Sequence, residues 1–165
     1  MRKFIDLHLH LDGSVPVATV KKLMKEHNMP ALSDEELRQE LSVDSSCKSL
    51  DQFLEKFALP NKLMQTRHDL KTIVYDLLVE LKQQGLVYAE IRFAPQLHTK
   101  KGLTQEDAIE AVISGLNKFL ADQKKQKTLP ELHAGLILCL MRFADNQKQN
   151  METVKLAKKF LGKGV

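Results

Sequence analysis

Three short strand-like runs separated by long helical stretches constrain this chain more than any other feature. "KFIDLHLHL" (3–11) alternates strictly, with Ile5, Leu7, Leu9 and Leu11 pointing one way and Asp6, His8 and His10 the other. "VYAEIRFAP" (87–95) is a second run, closed by Pro95, and "HAGLILCLMRF" (133–143) is a third, apolar on both faces through its middle. Near-continuous apolar runs of this kind suit parallel strands covered by helices. The order is strand, several helices, strand, helix, strand, helix, which means βα units.

The helices between them carry their own signals. Pro16 suits the first turn of a helix running to about Asn28. Ser33-x-x-Glu36 and Ser49-x-x-Gln52 read as capping boxes for two short helices. Residues 68–84 make an amphipathic helix with Gly85 as its C-terminal cap, and two more run from Thr104 to about Lys125 and from about Gln147 to Leu161, the last stopped by Gly162. The insertion between the first two strands is long and helical. "LGKGV" reads as the approach to a fourth strand with Val165 as its first residue. Three strands make an uncomfortable parallel sheet, and a (β/α)₈ barrel needs about 250 residues. The expectation is therefore one incomplete α/β domain over residues 1–165, the N-terminal part of a TIM-type barrel, with a small open α/β domain as the competing architecture.

Composition excludes several function classes. A formal charge of +4, with basic residues scattered over helix faces, no interleaved aromatics and no Trp, argues against nucleic acid. "MRKFIDLHLH" has no apolar h-region and no segment has membrane-spanning length, so a cytoplasmic location is expected. Cys47 and Cys139 belong to no CxxC pattern, and Cys139 inside "LILCLM" reads as a small buried thiol.

The chemistry concentrates in "DLHLHLDGS" (6–14). A period of two places His8 and His10 on one face, with Asp12 continuing that line into the loop and Gly13 turning it. Their Cα atoms should lie about 6–7 Å apart, so two imidazoles can converge on one divalent ion. A catalytic metal then needs further ligands and an open position for water. Glu90 and Arg92 also sit two apart on one strand face, and Arg142 ends the third run comparably. Charges inside apolar strands must be paired or hydrated, so these three either support a site or form structural ion pairs. Leu50, Phe53, Leu54 and Phe57 fall at i, i+3, i+4 and i+7, one helix face that serves either as core or as a binding surface. His27 and His68 lie in helical segments and His98 in a loop, where surface histidines are expected.

"DLHLHLDGS", then "YAEIRFAPQ", then "LILCLMRF" resembles, in order and spacing, the N-terminal half of the adenosine deaminase family of metal-dependent (β/α)₈ barrels. The resemblance covers essentially the whole chain, and Asp12-Gly13, where adenine deaminases tend to carry Glu-Gly, implies a nucleoside substrate. By position it implies His8 and His10 as the first two zinc ligands, with His10 also against the substrate. It implies Asp12 on the ribose 5′-hydroxyl, and Leu50, Phe53, Leu54 and Phe57 as a hydrophobic lid over the purine. Glu90, Arg92 and Arg142 would support the site from behind. Ala94 departs from relatives with Ser there. The family's third histidine, its proton-donating glutamate and its aspartate ligand have no counterpart. His133-Ala-Gly mimics the later His-Ala-Gly-Glu block, but Leu136 stands where glutamate belongs. The implied reaction is hydrolysis of adenosine and deoxyadenosine to inosine (or deoxyinosine) and ammonia, with this chain alone inactive. A PHP-type metal phosphoesterase, which also opens on Asp-x-His-x-His, and a non-catalytic half-barrel that associates with another chain, or with itself through an unpaired edge, are the alternatives.

Overall fold

The computed structural model describes residues 3–125 and 130–165; the basic start at Met1 and Arg2 lies outside them. Three parallel strands, β1 (Phe4–His10), β2 (Leu86–Phe93) and β3 (His133–Leu138), form one sheet in the order β1-β2-β3. Between β1 and β2 run α1 (Val17–Glu26), α2 (Asp34–Leu41), α3 (Leu50–Glu55), α4 (Ala58–Leu63) and α5 (Arg67–Gln83). A 3-10 turn at Pro95–His98 and α6 (Gln105–Gln123) link β2 to β3, and α7 (Gln147–Phe160) follows.

Local chemistry sets most of these boundaries. Ser33 and Glu36 exchange both bonds of a capping box, as expected. The second expected box is only half formed. Ser49 Oγ accepts from Gln52 N, but the Gln52 side chain accepts from Lys48 N. Thr66 caps α5 and Thr104 caps α6, each accepting from the backbone N–H three residues on. Gly85 and Gly162, with φ of 93° and 74°, take the left-handed conformation that ends α5 and α7, and Asn28 (φ 52°) does the same after α1.

The core lies between the sheet and α5 and α6, where Ile73, Leu77, Ala89, Ile91, Phe93, Ile109, Val112 and Leu116 are buried. These two helices pack tightly at Gly115, where a Cβ would lie 2.3 Å from Val74 Cγ1 and 2.6 Å from the Lys71 carbonyl oxygen. A helix backbone cannot step aside as a side-chain tip can. Gly115→Ala is therefore expected to destabilise the fold by about 1–3 kcal/mol despite alanine's better helix propensity. The shift in the urea midpoint, at unchanged slope, measures it.

Two sequence expectations are corrected by the strands. Strict alternation in β1 fails. From Asp6 to Leu9 the strand advances three residues while β2 advances two, from Ala89 to Ile91, with an opposite shift between Phe4 and Ile5. Leu9 therefore joins Ile91 on the helix-covered face, whereas Ile5 pairs with Tyr88 and is 64% exposed. Leu7, at 56%, is also open to solvent, so these residues do not anchor β1 to the core. The third strand also stops at Leu138, not at residue 143. Beyond it the Met141 backbone bonds to the side chains of Asn146 and Asn150 at the start of α7, which draws the chain off the sheet. Cys139 is consequently half-buried, and both cysteines are free. After α7 the chain returns to the sheet, where the Leu136 N–H of β3 donates to the Gly164 carbonyl at 2.8 Å.

Candidate functional site

The carboxyl end of β1 answers why polar residues interrupt an apolar strand. A residue added to one strand of a ladder leaves a backbone group without its usual partner. Here the His8 N–H donates to Asp6 Oδ1 at 2.9 Å, so the aspartate carboxylate takes up the irregularity. Despite the broken alternation, the His8 and His10 rings lie side by side, with centroids 5.4 Å apart and planes inclined by 31°. Partial burial holds the His10 imidazole below its ordinary pKa, opposed by the Asp12 carboxylate; His8 and Arg92 push the same way as burial. His10 Nδ1 lies 3.9 Å from Asp12 Oδ1. Beyond the strand, Asp12 is buried, which raises its pKa, while the Asn61 amide and His10 act against that rise.

Asn61 escaped the sequence reading. Its Nδ2 donates to the Phe57 carbonyl at 3.0 Å and reaches Asp12 Oδ2 at 3.4 Å. Those bonds leave Asp12 Oδ1 and Asn61 Oδ1 as buried acceptors with no partner among the described residues. Buried acceptors of this kind call for a donor from water or a ligand. Gln65 is another residue without a sequence signal. Its amide ties α4 to the turn after β2 through the carbonyls of Asn61 and Leu97 and the N–H of Lys100.

The apolar quartet does not behave as core. Leu50, Phe53 and Leu54 are exposed, and α3 ends at Glu55, so Phe57 leaves that helix and begins the next. Phe57 meets Phe53 edge to face at 5.3 Å and His10 at 6.2 Å. A Cβ at Gly13 would sit 2.9 Å from the Phe57 ring, so this glycine is what lets the ring approach the strand end. A cavity of about 260 Å³ opens here, lined among others by Asp12, Gly13, Val15, Phe53, Lys56 and Phe57.

The charged residues behind the strand separate. Arg92, in register with His10, donates through Nη2 to the Leu7 carbonyl at 3.3 Å, and its buried Nε has no partner among the described residues. Glu90 accepts from the Tyr88 hydroxyl at 3.2 Å and forms no ion pair with Arg92. Arg142 is corrected: it is exposed in the loop after β3 and does not end that strand. His98 is a second correction. It is completely buried, stacked on Phe93 at 6.0 Å, and burial pushes its pKa down to about 4. His133 is exposed at the start of β3, away from the carboxyl ends of the strands.

Parallel strands covered by helices on one face, with polar side chains gathered at the carboxyl ends, define this chain as the N-terminal part of a (β/α)₈ barrel. The family model described as adenosine deaminase matches residues 4–165, and the chain belongs to that family. It is 48% identical over 161 residues to an adenosine deaminase of Haemophilus ducreyi, covering 96% of this chain and 45% of that protein. An adenosine deaminase of Clostridium botulinum is 41% identical over 163 residues, covering 98% and 47%. Among solved structures, Arabidopsis ADAL complexed with GMP superposes with a TM-score of 0.75 at 26% identity, over 98% of this chain and 47% of that one. The chain thus spans about half the length of the curated relatives it matches. The family assignment decides against the phosphoesterase reading.

Proposed function

We propose that residues 1–165 make up one incomplete barrel domain. It carries the first two metal ligands and the nucleoside-orienting acid of a zinc-dependent adenosine deaminase of purine metabolism. The observation that carries this reading is the pair of adjacent His8 and His10 rings at the end of β1, followed by a buried aspartate with an unmet acceptor. The donor set fits zinc: two imidazoles occupy two positions of a tetrahedral shell and leave room for others. When bound, zinc lowers the pKa of a coordinated water to about 7 and so supplies the nucleophile for hydrolysis.

The chain's own residues do the rest. His8 and His10 hold the ion, and His10 also flanks the purine. Asp12 Oδ1, buried and lacking a donor, accepts the ribose 5′-hydroxyl and so fixes the nucleoside's orientation. Leu50, Phe53, Leu54 and Phe57 form a lid that excludes bulk water, with Phe57 already against His10. Arg92 braces the β1 backbone at Leu7, and Glu90, on the same strand, is held by the Tyr88 hydroxyl. Adenosine or deoxyadenosine plus water gives inosine or deoxyinosine plus ammonia. The proton donor and the remaining ligands implied by the resemblance have no counterpart in these residues, so the chain alone is inactive.

The partner is a small purine nucleoside, not nucleic acid. No helix among the described residues is long and apolar enough to cross a membrane, and two free thiols fit a reducing cytoplasm. The test is zinc titration followed by NMR of the imidazole rings. His8 and His10 resonances should move together, with weak binding that a chelator reverses, because two neutral imidazoles half fill the shell. Zinc that leaves either ring unmoved overturns the ligand assignment. One tight, chelator-resistant zinc on these rings would reveal a third strong ligand within the chain. The outer edge of β1 and the exposed Ile5 and Leu7 also favour association with further strands or with a second copy. Size-exclusion mass should therefore exceed the monomer's and rise with concentration.

A further inference from the structure

The residues that join α1 to α5 hold a second cluster of metal-binding side chains, apart from the sheet. α1 ends in Glu26, followed by His27, and α5 begins with Arg67, His68 and Asp69. The two segments cross. Glu26 Oε2 lies 3.1 Å from His68 Nε2, and His27 Nε2 lies 3.0 Å from Asp69 Oδ1. One ligand atom from each of Glu26, His68 and Asp69 lies within 4.8 Å of the others. Donors around a tetrahedral ion with bonds of about 2.0–2.2 Å stand about 3.3–3.6 Å apart, so closure needs little movement.

The mobility of the three side chains is matched to that movement. Asp69 is fixed. Its side chain is 1% exposed, its Oδ2 accepts from Thr66 Oγ1 at 2.6 Å, and its backbone N–H donates back to Thr66 at 3.2 Å. Glu26 and His68 are exposed and can swing. His27, hydrogen-bonded to the Asp69 carboxylate, holds it from the other side, in the manner of outer-shell partners that orient a metal ligand. One imidazole with two carboxylates suits a borderline d-block cation; magnesium and calcium prefer oxygen ligands alone.

We propose that Glu26, His68 and Asp69 form a second site for one divalent cation of the zinc type, which clasps the end of α1 to the start of α5. The site does not depend on the deaminase reading and takes no part in the β1 chemistry. The competing account is that the crossed histidine–carboxylate pairs are complete as they stand and bind no ion.

The experiment begins with chain stripped by EDTA and carrying His8→Ala and His10→Ala, both exposed positions, so that the β1 imidazoles cannot contribute. Calorimetric titration with zinc chloride should show one ion per chain. Adding His68→Ala should weaken binding at least about tenfold, and Glu26→Gln should act in the same direction. His133→Ala, an exposed histidine outside the cluster, should leave it unchanged. Zinc should also raise the thermal midpoint of the double variant, and raise that of the His68→Ala version by less. Absence of zinc binding in the double variant, or equal binding after His68→Ala, overturns the proposal. Asp69 is left intact throughout because its burial and capping bonds belong to the fold.

Discussion

Purified chain incubated with adenosine and zinc should release no ammonia above a His8→Ala control. Activity should appear when the strands that the longer relatives contain are supplied. Proton transfer by positioned side chains contributes about 10²–10⁴-fold to such reactions, and an activated nucleophile contributes separately. On the proposed reading, the chain alone lacks the residues to complete either. On that reading His8 and His10 supply two ligand positions, and the buried oxygens of Asp12 and Asn61 wait for a donor. His98 cannot substitute, because it is enclosed and stacked on Phe93. In the completed barrel, His8→Ala should abolish turnover, while Asp12→Asn should mainly raise KM by weakening the hold on the ribose. Ammonia production by the 165-residue chain that disappears in the His8→Ala variant would refute this account.

The fold was legible because its signals are local and repeated. Apolar runs marked the three strands, and Gly85, Gly162 and the Ser33–Glu36 box marked helix ends that the structure reproduces. The family resemblance was legible for the same reason: its blocks are contiguous in sequence. What failed depends on contacts between distant residues. The β1 irregularity reflects pairing with β2, and no pattern within residues 3–11 announces it. The early end of β3 is set by Asn146 and Asn150, and nothing about an asparagine marks it as the group that will take a strand's backbone. Asn61 reaches Asp12 across 49 residues. Glu26, His27, His68 and Asp69 come together only because α1 and α5 pack side by side. The quartet Leu50, Phe53, Leu54 and Phe57 had two readings at the level of periodicity. Its exposure, and the Phe57 contact with His10, weigh against core.

His98 should make the fold acid-labile well above the range where most carboxylates titrate. Its ring is enclosed, and burial, opposed by the Met64 backbone, brings its pKa to about 4 from an ordinary 6.5. The charged imidazolium is therefore the form the folded state rejects. Above pH 6.5 both folded and unfolded chains hold it neutral, and it adds no pH dependence. As pH falls from about 6.5 to about 4, the unfolded chain binds a proton that the folded chain does not, so stability declines across that window. The gap is worth about 3 kcal/mol by the time it closes, because each pH unit corresponds to about 1.4 kcal/mol. Below it the decline from this residue stops, and carboxylates such as Asp107 and Asp122, held near 2 by their hydrogen bonds, take over. Urea unfolding at pH 7, 5.5 and 4 should show the loss. His98→Leu, which keeps an apolar group against Phe93, should remove most of it between pH 7 and 4. Parallel pH profiles for the two proteins would mean that the folded state opens to let His98 ionise, and the buried ring would then play no part in acid unfolding.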